Sequence, residues 1–528
     1  MVSGEFLNWK TSIQAYRDKV TLSRTWILIF TVVFVLALVL RCRALGVDGL
    51  WMDEVFGASY VNLNIFEILV AVLRFDIHPP FYYLQLKLWS LPSSNDIWLL
   101  MNSVVWSMLT LLTTTYGVYR LAGSIAALIA AALVAVLGSE IHYAMELRMY
   151  SMISCVTVIG WILAEKWINN PDSKNTAWLL VVLGLLGGLH SISFIPVSSI
   201  LLYAVVGRWQ KSGLQGLLHS WTIIVGAGIL LTPWLINASL RSTNHTLGST
   251  ADSITRTLSG WVLDSALPSI FHQVTAFVFI GFVIMTFAFG TRRVRNILLC
   301  FVVYPVLLLG VVSVVVRPIW VDRAVAFCAP FLAASAALMW QSVFDGSQDT
   351  SKRKQLSVGL ICLFVVTVGV VGWNQAGLSR KMQYREAAQF ISLNNQQQLP
   401  VYIPANVTFW GLARYLRGSN WGSLLGIQDP DKPDHSEIWA RIYAYLGKAW
   451  LTRLHLLPST RELATKSGTM YIGFSPLPNI IVSKGFYIVG DNSLLNKNTN
   501  GNCGAAHQEG LWRFRGVVIL RCGATTKL

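Results

Sequence analysis

Two adjacent carboxylates, Asp53 and Glu54, lie in a segment that is otherwise rich in apolar residues. Transfer of a group to a hydroxyl or an amine needs a base for the acceptor proton, and a positioned carboxylate contributes about 10²–10⁴-fold. Asp53 is the candidate base, and Glu54 is a candidate to orient a neighbour or to help hold a cation. The structural alternative is a solvated acidic turn, which the pair alone does not exclude.

A histidine and a lysine follow in the same segment. His78 precedes two prolines in 76–80 (DIHPP), and these prolines give a rigid entry into an amphipathic helix predicted at 80–91. His78 is a candidate donor to a phosphate or a sugar, and Lys87 is placed to reach lipid headgroups. The structural alternative for His78 is an interfacial histidine that only tolerates water.

The segment 142–151 (HYAMELRMYS) carries Glu146 and Arg148 at the start of an apolar run. Charges at membrane depth are costly and usually face a cavity or a partner. Arg148 is a candidate to pair with the acidic pair or to clamp a phosphate, whereas the alternative is an ion pair that fixes helix ends. His190 and Arg323 are further candidates, with an interfacial histidine and a snorkelling arginine as the alternatives.

The amino-acid composition indicates whether water or lipid surrounds the segments that carry these candidate residues. Of the 528 residues, 54% are apolar and 12% are charged, against about 25% charged in a soluble domain. Apolar runs of at least about 18 residues recur, and only helices or closed barrels satisfy the backbone in lipid. Apolar and polar residues do not alternate within these runs, as they would in the strands of a membrane barrel, so we predict helices. The net charge of +16 is expected in part from basic cytoplasmic loops and does not indicate nucleic acid.

We predict a polytopic α-helical membrane protein with about eleven transmembrane helices. Their predicted ranges are 25–41, 97–118, 123–139, 149–167, 176–189, 192–207, 218–236, 270–290, 296–316, 324–341 and 355–373. The first is expected to be a retained signal anchor, because no small-residue cleavage site follows it. Basic residues before it, after the eighth and after the tenth place these three segments in the cytoplasm. The loop 42–96 and the C-terminal region then lie on the periplasmic or extracellular face of the inner membrane.

The composition becomes that of a soluble domain after about residue 374, which divides the chain into a membrane module (1–373) and an outer domain (374–528). Patterns at 384–396, 400–404, 480–490 and 511–521 predict one helix and three strands, hence a small α/β fold. The outer domain has 17 Lys and Arg against 8 Asp and Glu, which either serves solubility or steers anionic lipids or a phosphorylated substrate. A disulfide between Cys503 and Cys522 is expected if this domain lies outside the cytoplasm.

Three motifs, LWMDE at 50–54, DIHPPFYYLQL at 76–86 and HYAMELRMYS at 142–151, occur in this order on the predicted outer face. They resemble the GT-C superfamily of polyprenyl-phosphate-sugar glycosyltransferases, more narrowly the bacterial protein O-mannosyltransferase and aminoarabinose-transferase-like branch. The resemblance covers about residues 25–340. It implies a GT-C-type fold and direct displacement of a lipid-linked sugar with inversion. The implied base is Asp53 with Glu54 as its companion, and the residues implied to line the site are His78, Glu146, Arg148 and Tyr150.

The chain departs from the family pattern at a few positions. It has Phe81 and Leu147 where Leu and Ala are common, and both exchanges are apolar. It has Ser191 after His190 where a tyrosine is often found, so the role of His190 is less firmly implied.

The implied chemistry needs cations more than a cofactor. The leaving phosphate gains negative charge, which fixed cations stabilise best where water is scarce, and Arg148, Arg323 and Lys87 are the candidates. Asp53 and Glu54 could hold a divalent ion, but no third ligand is evident, so we expect neither metal nor cofactor. No glycine-rich loop for a nucleotide sugar is visible. The expected partners are a polyprenyl-phosphate-linked sugar, membrane lipids and a glycan, lipid or protein acceptor, without nucleic acid.

Two other functions remain compatible with the sequence. A transporter or flippase would move a lipid-linked or anionic substrate without chemistry. The clustering of charges at one face and the absence of a visible internal repeat count against it. A structural subunit with a degenerate site is the second alternative, and the intact Asp53, Glu54 and Arg148 argue against it.

Overall fold

The structure is a computed structural model, and most of the chain that it describes is helical. The described residues are 24–241, 251–262, 269–315, 320–344, 351–376, 381–394, 401–403, 411–412, 414–415, 462–465, 468–472, 486–490, 508–515 and 517–522. The statements below concern these residues.

The helices follow the order that the apolar runs predict. Their bounds are α1 (Arg24–Cys42), α2 (Met52–Ser59), α3 (Ile65–Phe75), α4 (Phe81–Trp89), α5 (Asp96–Val136), α6 (Gly138–Ala144), α7 (Tyr150–Asn169), α8 (Ser173–Gly187), α9 (Phe194–Arg241), α10 (Ala251–Val262), α11 (Ser269–Phe289), α12 (Arg292–Leu298), α13 (Tyr304–Val315), α14 (Ala329–Phe344), α15 (Ser351–Ala376) and α16 (Tyr384–Asn394). A π-helical turn joins α12 to α13, and a 3₁₀ segment (Asp322–Cys328) precedes α14.

Within the described ranges, six helical segments are long and apolar enough to cross a membrane, and three shorter apolar helices accompany them. Two of the long helices, α5 and α9, are each divided by a residue with non-helical backbone angles. Counted with these divisions, the apolar segments match the positions of the eleven predicted crossings. The multi-helix membrane architecture is therefore confirmed.

The break in α5 lies at Gly123, whose φ of 80° favours glycine. An added Cβ would meet no atom within 4 Å there, so the backbone angle and not crowding requires the glycine. Trp26 Nε1 donates to Ser124 O just after the break, and Arg41 Nη1 donates to Ala135 O at the other end of the second half. This half therefore runs parallel to α1, and Gly123 divides α5 into two segments at the end of the bundle where α1 begins.

Three short helices, α2, α3 and α4, build the segment between α1 and α5. Asn64 and Glu67 cap the start of α3 reciprocally, each side chain accepting a hydrogen bond of 2.9 Å from the other's backbone N–H. Helix α4 lies within the range predicted for an amphipathic helix. It is anchored to the end of α8 because Phe81 N–H donates to Gly188 O at 3.1 Å. The turn between α3 and α4, with its two prolines, is thereby fixed against the membrane helices.

The C-terminal region contains α16 and a mixed six-stranded sheet of order β2-β3-β1-β4-β6-β5. The strands are β1 (Val401–Ile403), β2 (Glu462–Thr465), β3 (Gly468–Ile472), β4 (Phe486–Gly490), β5 (Gln508–Phe514) and β6 (Val517–Cys522). Strand β1 is parallel to both of its neighbours, and the other pairs are antiparallel. The described elements agree with the predicted α/β character.

One predicted strand was wrong. The segment 511–521, expected to be a single strand, is a hairpin in which Phe514 pairs with Val517 across a two-residue turn. Residue 515 is held by α16, because Gln383 N–H donates to Arg515 O at 2.9 Å. Apolar residues on both sides of the turn hid this reversal in the sequence. Cys522 on β6 is disulfide-bonded, and its expected partner Cys503 lies outside the described residues.

Candidate active site

Glu54 is a fully buried carboxylate in the first turn of α2. Its Oε2 accepts a hydrogen bond from Trp51 N–H at 3.0 Å, which closes that turn. Its Oε1 accepts from Leu147 N–H and from Lys381 Nζ, each at 2.7 Å. Burial raises the pKa of Glu54, while the charge of Lys381 opposes that rise. Glu54 therefore joins three distant segments of the chain and has little capacity left for a ligand.

Asp53 has a different environment although it is the neighbouring residue. Its side chain is 25% exposed, and its Oδ2 lies 3.6 Å from Arg323 Nη1. In the described part of the chain Arg323 is its one ion-pair partner. The backbone carbonyl of Asp53 accepts a hydrogen bond from Arg148 Nη1 at 3.1 Å. The carboxylate of Asp53 is thus held near two cations and remains open to solvent.

Arg148 is buried, with 6% of its surface exposed. Besides its bond to Asp53, its Nη2 lies 3.4 Å from His78 Nε2. Its Nε is buried and finds no hydrogen-bond partner among the residues that the structure describes. Since a guanidinium offers five N–H donors, Arg148 keeps donor capacity for a ligand.

The rings of His78 and His190 are in contact, with centroids 4.1 Å apart and planes inclined by 50°. A guanidinium only donates, so the Nε2 of His78 that faces Arg148 is unprotonated, and the ring proton lies on Nδ1, 3.4 Å from Ser191 Oγ. Ile192 N–H donates to His190 Nδ1 at 3.0 Å, which places the proton of His190 on Nε2. The hydroxyl of Ser191 lies between the two rings, 3.4 Å from His78 Nδ1 and 3.3 Å from His190 Nδ1.

Both rings are neutral at neutral pH. Burial lowers the pKa of His78 to about 4 despite the opposing charge of Asp76, and Arg148 adds to the lowering. Burial, followed by the charges of His78 and Arg148, lowers the pKa of His190 well below its ordinary value. The cationic groups of the site are therefore the two arginines and Lys381, and the histidines provide neutral donors and acceptors.

Asp76, which the sequence motif contained but to which no role was assigned, holds His78 in place. Its Oδ1 accepts a hydrogen bond from His78 N–H at 2.9 Å, and its Oδ2 accepts from Tyr60 Oη at 3.0 Å. Asn237 on α9 donates to the Asp76 carbonyl at 3.1 Å. The turn before α4 is thereby tied to α9 and to the segment after α2.

Glu146 lies on the other side of the acidic pair. Its Oε1 is 3.4 Å from His142 Nε2, and 15% of its side chain is exposed. Burial alone would raise its pKa, but the hydrogen bond and charge of His142, with the charges of Lys381 and Arg323, bring it below the ordinary value. Glu146 is therefore a further ionised carboxylate, close enough for its charge to act on Glu54.

Tyr150 begins α7 beneath these groups, and its ring centroid lies 5.9 Å from that of His190. Its buried hydroxyl has no hydrogen-bond partner within the described ranges. A polar cavity of about 70 Å³ opens beside His142 and is also lined by Tyr143, Arg256 and Asp322. None of the predicted site residues lines this cavity, which adjoins them through the contact of His142 with Glu146.

Eight of the nine residues predicted from the sequence form one connected cluster: Asp53, Glu54, His78, Glu146, Arg148, Tyr150, His190 and Arg323. Lys87 lies apart from it, because its Nζ donates to Val61 O at 2.6 Å in the same outer segment. The sequence reasoning missed Lys381, which follows the predicted domain boundary and has no motif around it. No group of three or more acidic, His or Cys side chains suited to a metal occurs among the described residues.

No protein-family model matches the chain, and no curated protein matches it either. Solved structures with similar architecture exist. The apo crystal structure of ArnT from Cupriavidus metallidurans is 13% identical and matches 94% of this chain and 98% of its own, with a TM-score of 0.57. The structure of that protein bound to undecaprenyl phosphate is 12% identical and covers 95% of this chain and 98% of its own, with a TM-score of 0.53.

An oligosaccharyltransferase from Archaeoglobus fulgidus, tethered to an acceptor peptide, is also similar. It is 10% identical and covers 89% of this chain and 70% of its own length, with a TM-score of 0.51. At these identities the similarity shows the fold. The chain is a multi-helix membrane protein that shares its fold with these solved structures, as the resemblance to the GT-C superfamily implied.

Proposed function

We propose that this protein is a membrane glycosyltransferase that moves a sugar from a polyprenyl-phosphate carrier to an acceptor on the periplasmic or extracellular face. The observation that carries the proposal is the exposed Asp53 carboxylate beside two arginines, one of which keeps an unpaired donor. A base next to fixed cations suits the removal of an acceptor proton and the stabilisation of a phosphate leaving group.

Asp53 and Glu54 have separate roles in this proposal. Asp53 is accessible, so its carboxylate can take the proton from an acceptor hydroxyl or amine. Glu54 is buried and already accepts three hydrogen bonds, so it holds the helix start that presents Asp53. Its companion role is therefore structural and electrostatic.

The reaction is a single displacement at the anomeric carbon. The acceptor atom forms a bond to that carbon as the bond to the phosphate oxygen breaks. The acceptor proton passes to Asp53, and the electron pair of the broken bond stays on the phosphate. Arg148 and Arg323 are placed to stabilise that charge. Attack opposite the leaving phosphate inverts the anomeric configuration.

The remaining polar groups of the cluster line the substrate site in this proposal. His78 and His190, both neutral, and the unpartnered Tyr150 hydroxyl offer hydrogen bonds to a sugar or phosphate oxygen. Glu146 gives the acceptor side a second negative charge. No metal or other cofactor is required by this chemistry, because the arginines supply the positive charge.

The orientation of the site follows from charge distribution. Tyr150 at the start of α7 lies in the site, and the other end of α7 carries Glu165, whose Oε1 is 3.6 Å from Arg293 Nε. The basic start of α12 therefore lies at the membrane face opposite to the site. Because basic residues accumulate in the cytoplasm, we assign that face to the cytoplasm and the site to the non-cytoplasmic face. In this proposal the basic C-terminal domain (374–528) lies outside as well, because Lys381 contacts Glu54 and Met145 at the site.

The structural neighbours support this substrate class. One ArnT structure contains undecaprenyl phosphate, and the archaeal oligosaccharyltransferase structure contains a tethered acceptor peptide. A shared fold with proteins that bind a polyprenyl phosphate or an acceptor makes a lipid-linked donor the first substrate class to test.

The test uses the purified full-length chain in lipid nanodiscs. Mass spectrometry of lipids and glycans from cells that lack the protein identifies the donor sugar and acceptor. The reconstituted protein then receives that polyprenyl-phosphate sugar and acceptor. We expect a product of inverted anomeric configuration, and we expect D53N to reduce its formation by about 10²–10⁴-fold. D172N is the matched control, because Asp172 caps α8 and accepts from the Asn170 side chain at the opposite end of the bundle.

A transporter without chemistry predicts a different result. It would move the labelled lipid across vesicle membranes with its glycosidic bond intact. D53N and the wild type would then both leave the lipid uncleaved and form no transfer product. Unaltered glycans in the deletion cells together with an intact donor in the nanodisc reaction would refute the proposed transfer.

A further inference from the structure

The C-terminal region contributes side chains to the outer segment that carries the acidic pair. Lys381 N–H donates to Asp48 Oδ2 at 3.2 Å. The Nζ of Lys381 donates to Glu54 Oε1 at 2.7 Å and to Met145 O at 2.8 Å. One residue thus contacts both of the segments that hold the candidate catalytic groups.

Further contacts fix residues 46–50 against the same region. Arg385 Nη1 donates to Gly46 O at 2.9 Å. Tyr415 Oη accepts a hydrogen bond from Leu50 N–H at 2.6 Å and donates to Asp96 Oδ2 at 2.7 Å. These bonds connect α16 and residue 415 with the segment just before α2 and with the start of α5.

The backbone at Gly49 lies so close to Tyr415 and Arg385 that no side chain fits at this position. A Cβ at Gly49 would lie 2.8 Å from Tyr415 Oη and 2.9 Å from Arg385 Cβ. The segment before the acidic pair therefore packs directly on side chains that are more than 300 positions away in the sequence.

Lys381 has a particular electrostatic position within these contacts. Only 15% of its side chain is exposed, and its partner Glu54 is fully buried. A buried carboxylate without a cation is strongly unfavourable, whereas a paired and hydrogen-bonded one is stable. Glu54 in turn accepts from Trp51 N–H and Leu147 N–H, so its charge orders the residues next to Asp53 and Arg148.

We propose that Lys381 is a positioning residue of the active site, which keeps Glu54 ionised so that Asp53 and Arg148 hold their working geometry. This inference rests on the proposed function. It assigns the C-terminal region a part in the site, in addition to any contact with an acceptor. Lys381 touches no substrate in this account and acts through Glu54.

The charged groups that face Glu54 determine the expected pH dependence. Burial and the charge of Glu146 raise the pKa of Glu54, whereas Lys381 lowers it, and Tyr82 is a further titratable group on which the charge of Glu54 acts. Without Lys381 the pKa of Glu54 rises further. Glu54 then becomes protonated at a higher pH, and part of the activity should return as the pH increases and the carboxylate ionises.

The activity test compares K381M, K381R and the wild type over a range of pH. We expect K381M to lower kcat by about 10- to 100-fold at acidic pH, with KM changed much less and partial recovery at higher pH. K381R should retain most of the activity because it preserves the charge. K211M is the matched control, since Lys211 Nζ donates to Asn169 at the opposite face.

A stability measurement tests the same pair without the reaction. Thermal unfolding in detergent is measured for K381M, E54Q and the double variant, which form a double-mutant cycle. We expect K381M to lower the midpoint and E54Q to restore part of that loss in the double variant, because it removes the unpaired charge. Additive shifts would overturn the inference.

The two measurements separate the inference from the proposed function. If the wild type transfers sugar, D53N does not, and K381M behaves as wild type at every pH, the positioning role is refuted while the function stands. If the wild type transfers nothing but the thermal cycle shows coupling, the function is refuted and the Lys381–Glu54 contact stands. A uniform loss of K381M activity at all pH values would also overturn the positioning role, since it would indicate only general damage.

Discussion

Two buried arginines of this protein have opposite surroundings, and the difference distinguishes a structural group from a functional one. Arg41, at the end of α1, is completely buried. Its Nε donates to Ser107 Oγ at 2.8 Å, and its Nη2 donates to Val134 O at 3.0 Å. Its Nη1 donates to Ala37 O and Ala135 O. All three nitrogens of Arg41 are thus used within the fold.

Arg148 in the candidate site is nearly as buried but less completely bonded. Its Nη1 donates to one carbonyl, its Nη2 has a long contact with His78, and its Nε has no partner in the described part of the chain. An unpaired buried donor is unfavourable in the protein alone. It is expected where a ligand completes the hydrogen bonds. Burial of an arginine is therefore uninformative by itself, and its remaining donor capacity indicates which of the two serves a ligand.

The largest difference is expected between the carboxylates near these arginines, which are Asp53 near Arg148 and Glu140 near Arg41. We expect D53N to reduce transfer by about 10²–10⁴-fold with little effect on thermal unfolding, since Asp53 is partly exposed and acts as a base. Glu140, by contrast, is 4% exposed and accepts a hydrogen bond from Ser107 beside Arg41. E140Q should keep kcat near the wild-type value and change the unfolding midpoint. If D53N and E140Q were equally active, the distinction between a functional and a structural carboxylate would be contradicted.

Conservative arginine exchanges provide the second test. R148K keeps the charge but loses the planar fork, so we expect kcat to fall by about 10²-fold or more with a small change in stability. R41K loses several buried hydrogen bonds, so we expect a lower unfolding midpoint and a kcat close to that of the wild type. Steady-state kinetics and thermal scans of both proteins are the measurements. A reversed pattern, with R41K inactive and R148K unstable, would contradict the assignment.

The neutral state of His78 predicts how stability depends on pH. The pKa of His78 is lowered to about 4 from an ordinary value of 6.5. Between these values the unfolded chain binds a proton that the folded chain does not, so stability rises with pH in this window and is lost as pH falls through it. H78Q should make the midpoint of thermal unfolding depend less on pH between about pH 4.5 and 6.5. H219Q serves as control because His219 is exposed at the opposite face.

The smallest expected effect concerns the packing of the C-terminal region on the outer segment. G49A places a Cβ against Tyr415 and Arg385, and we expect a loss of about 1–3 kcal/mol of stability. Y415F removes the hydroxyl from the contact and should relieve part of that loss in the double variant. Chemical unfolding curves of the single and double variants measure this. If G49A is as stable as the wild type, the contact between the two regions is not formed.

The sequence predicted the membrane helices well because lipid imposes a simple requirement. A helix that crosses a bilayer needs a long apolar run, and such runs are visible without knowledge of packing. The break at Gly213 fell between two predicted helices, and the break at Gly123 fell on the first residue of the predicted helix 123–139. In the soluble part the signals were weaker, and residues 511–521 of the hairpin at 508–522 were predicted as one strand because apolar residues continue up to its turn on both sides.

The site was predicted in part because its residues lie in three motifs whose order resembles a known family. The motifs did not reveal that Asp53 and Glu54 have opposite environments, since burial depends on contacts with distant residues. Lys381 lies 327 positions from Glu54 and belongs to no motif. Nothing in the local sequence distinguishes it from the other lysines of a basic domain. Lys87 lies on the helix that the sequence predicted, but its side chain donates a hydrogen bond to Val61 O within the same outer segment.

A structure of the full-length protein with bound polyprenyl phosphate tests the central claim most directly. The account predicts that the phosphate lies in the cluster between α2 and α7, with an oxygen about 3 Å from Arg148 Nε and with the Asp53 carboxylate on the open side facing the acceptor. A phosphate bound at the opposite membrane face, or bound in the cluster with the Asp53 carboxylate turned away from the open side, would contradict the account.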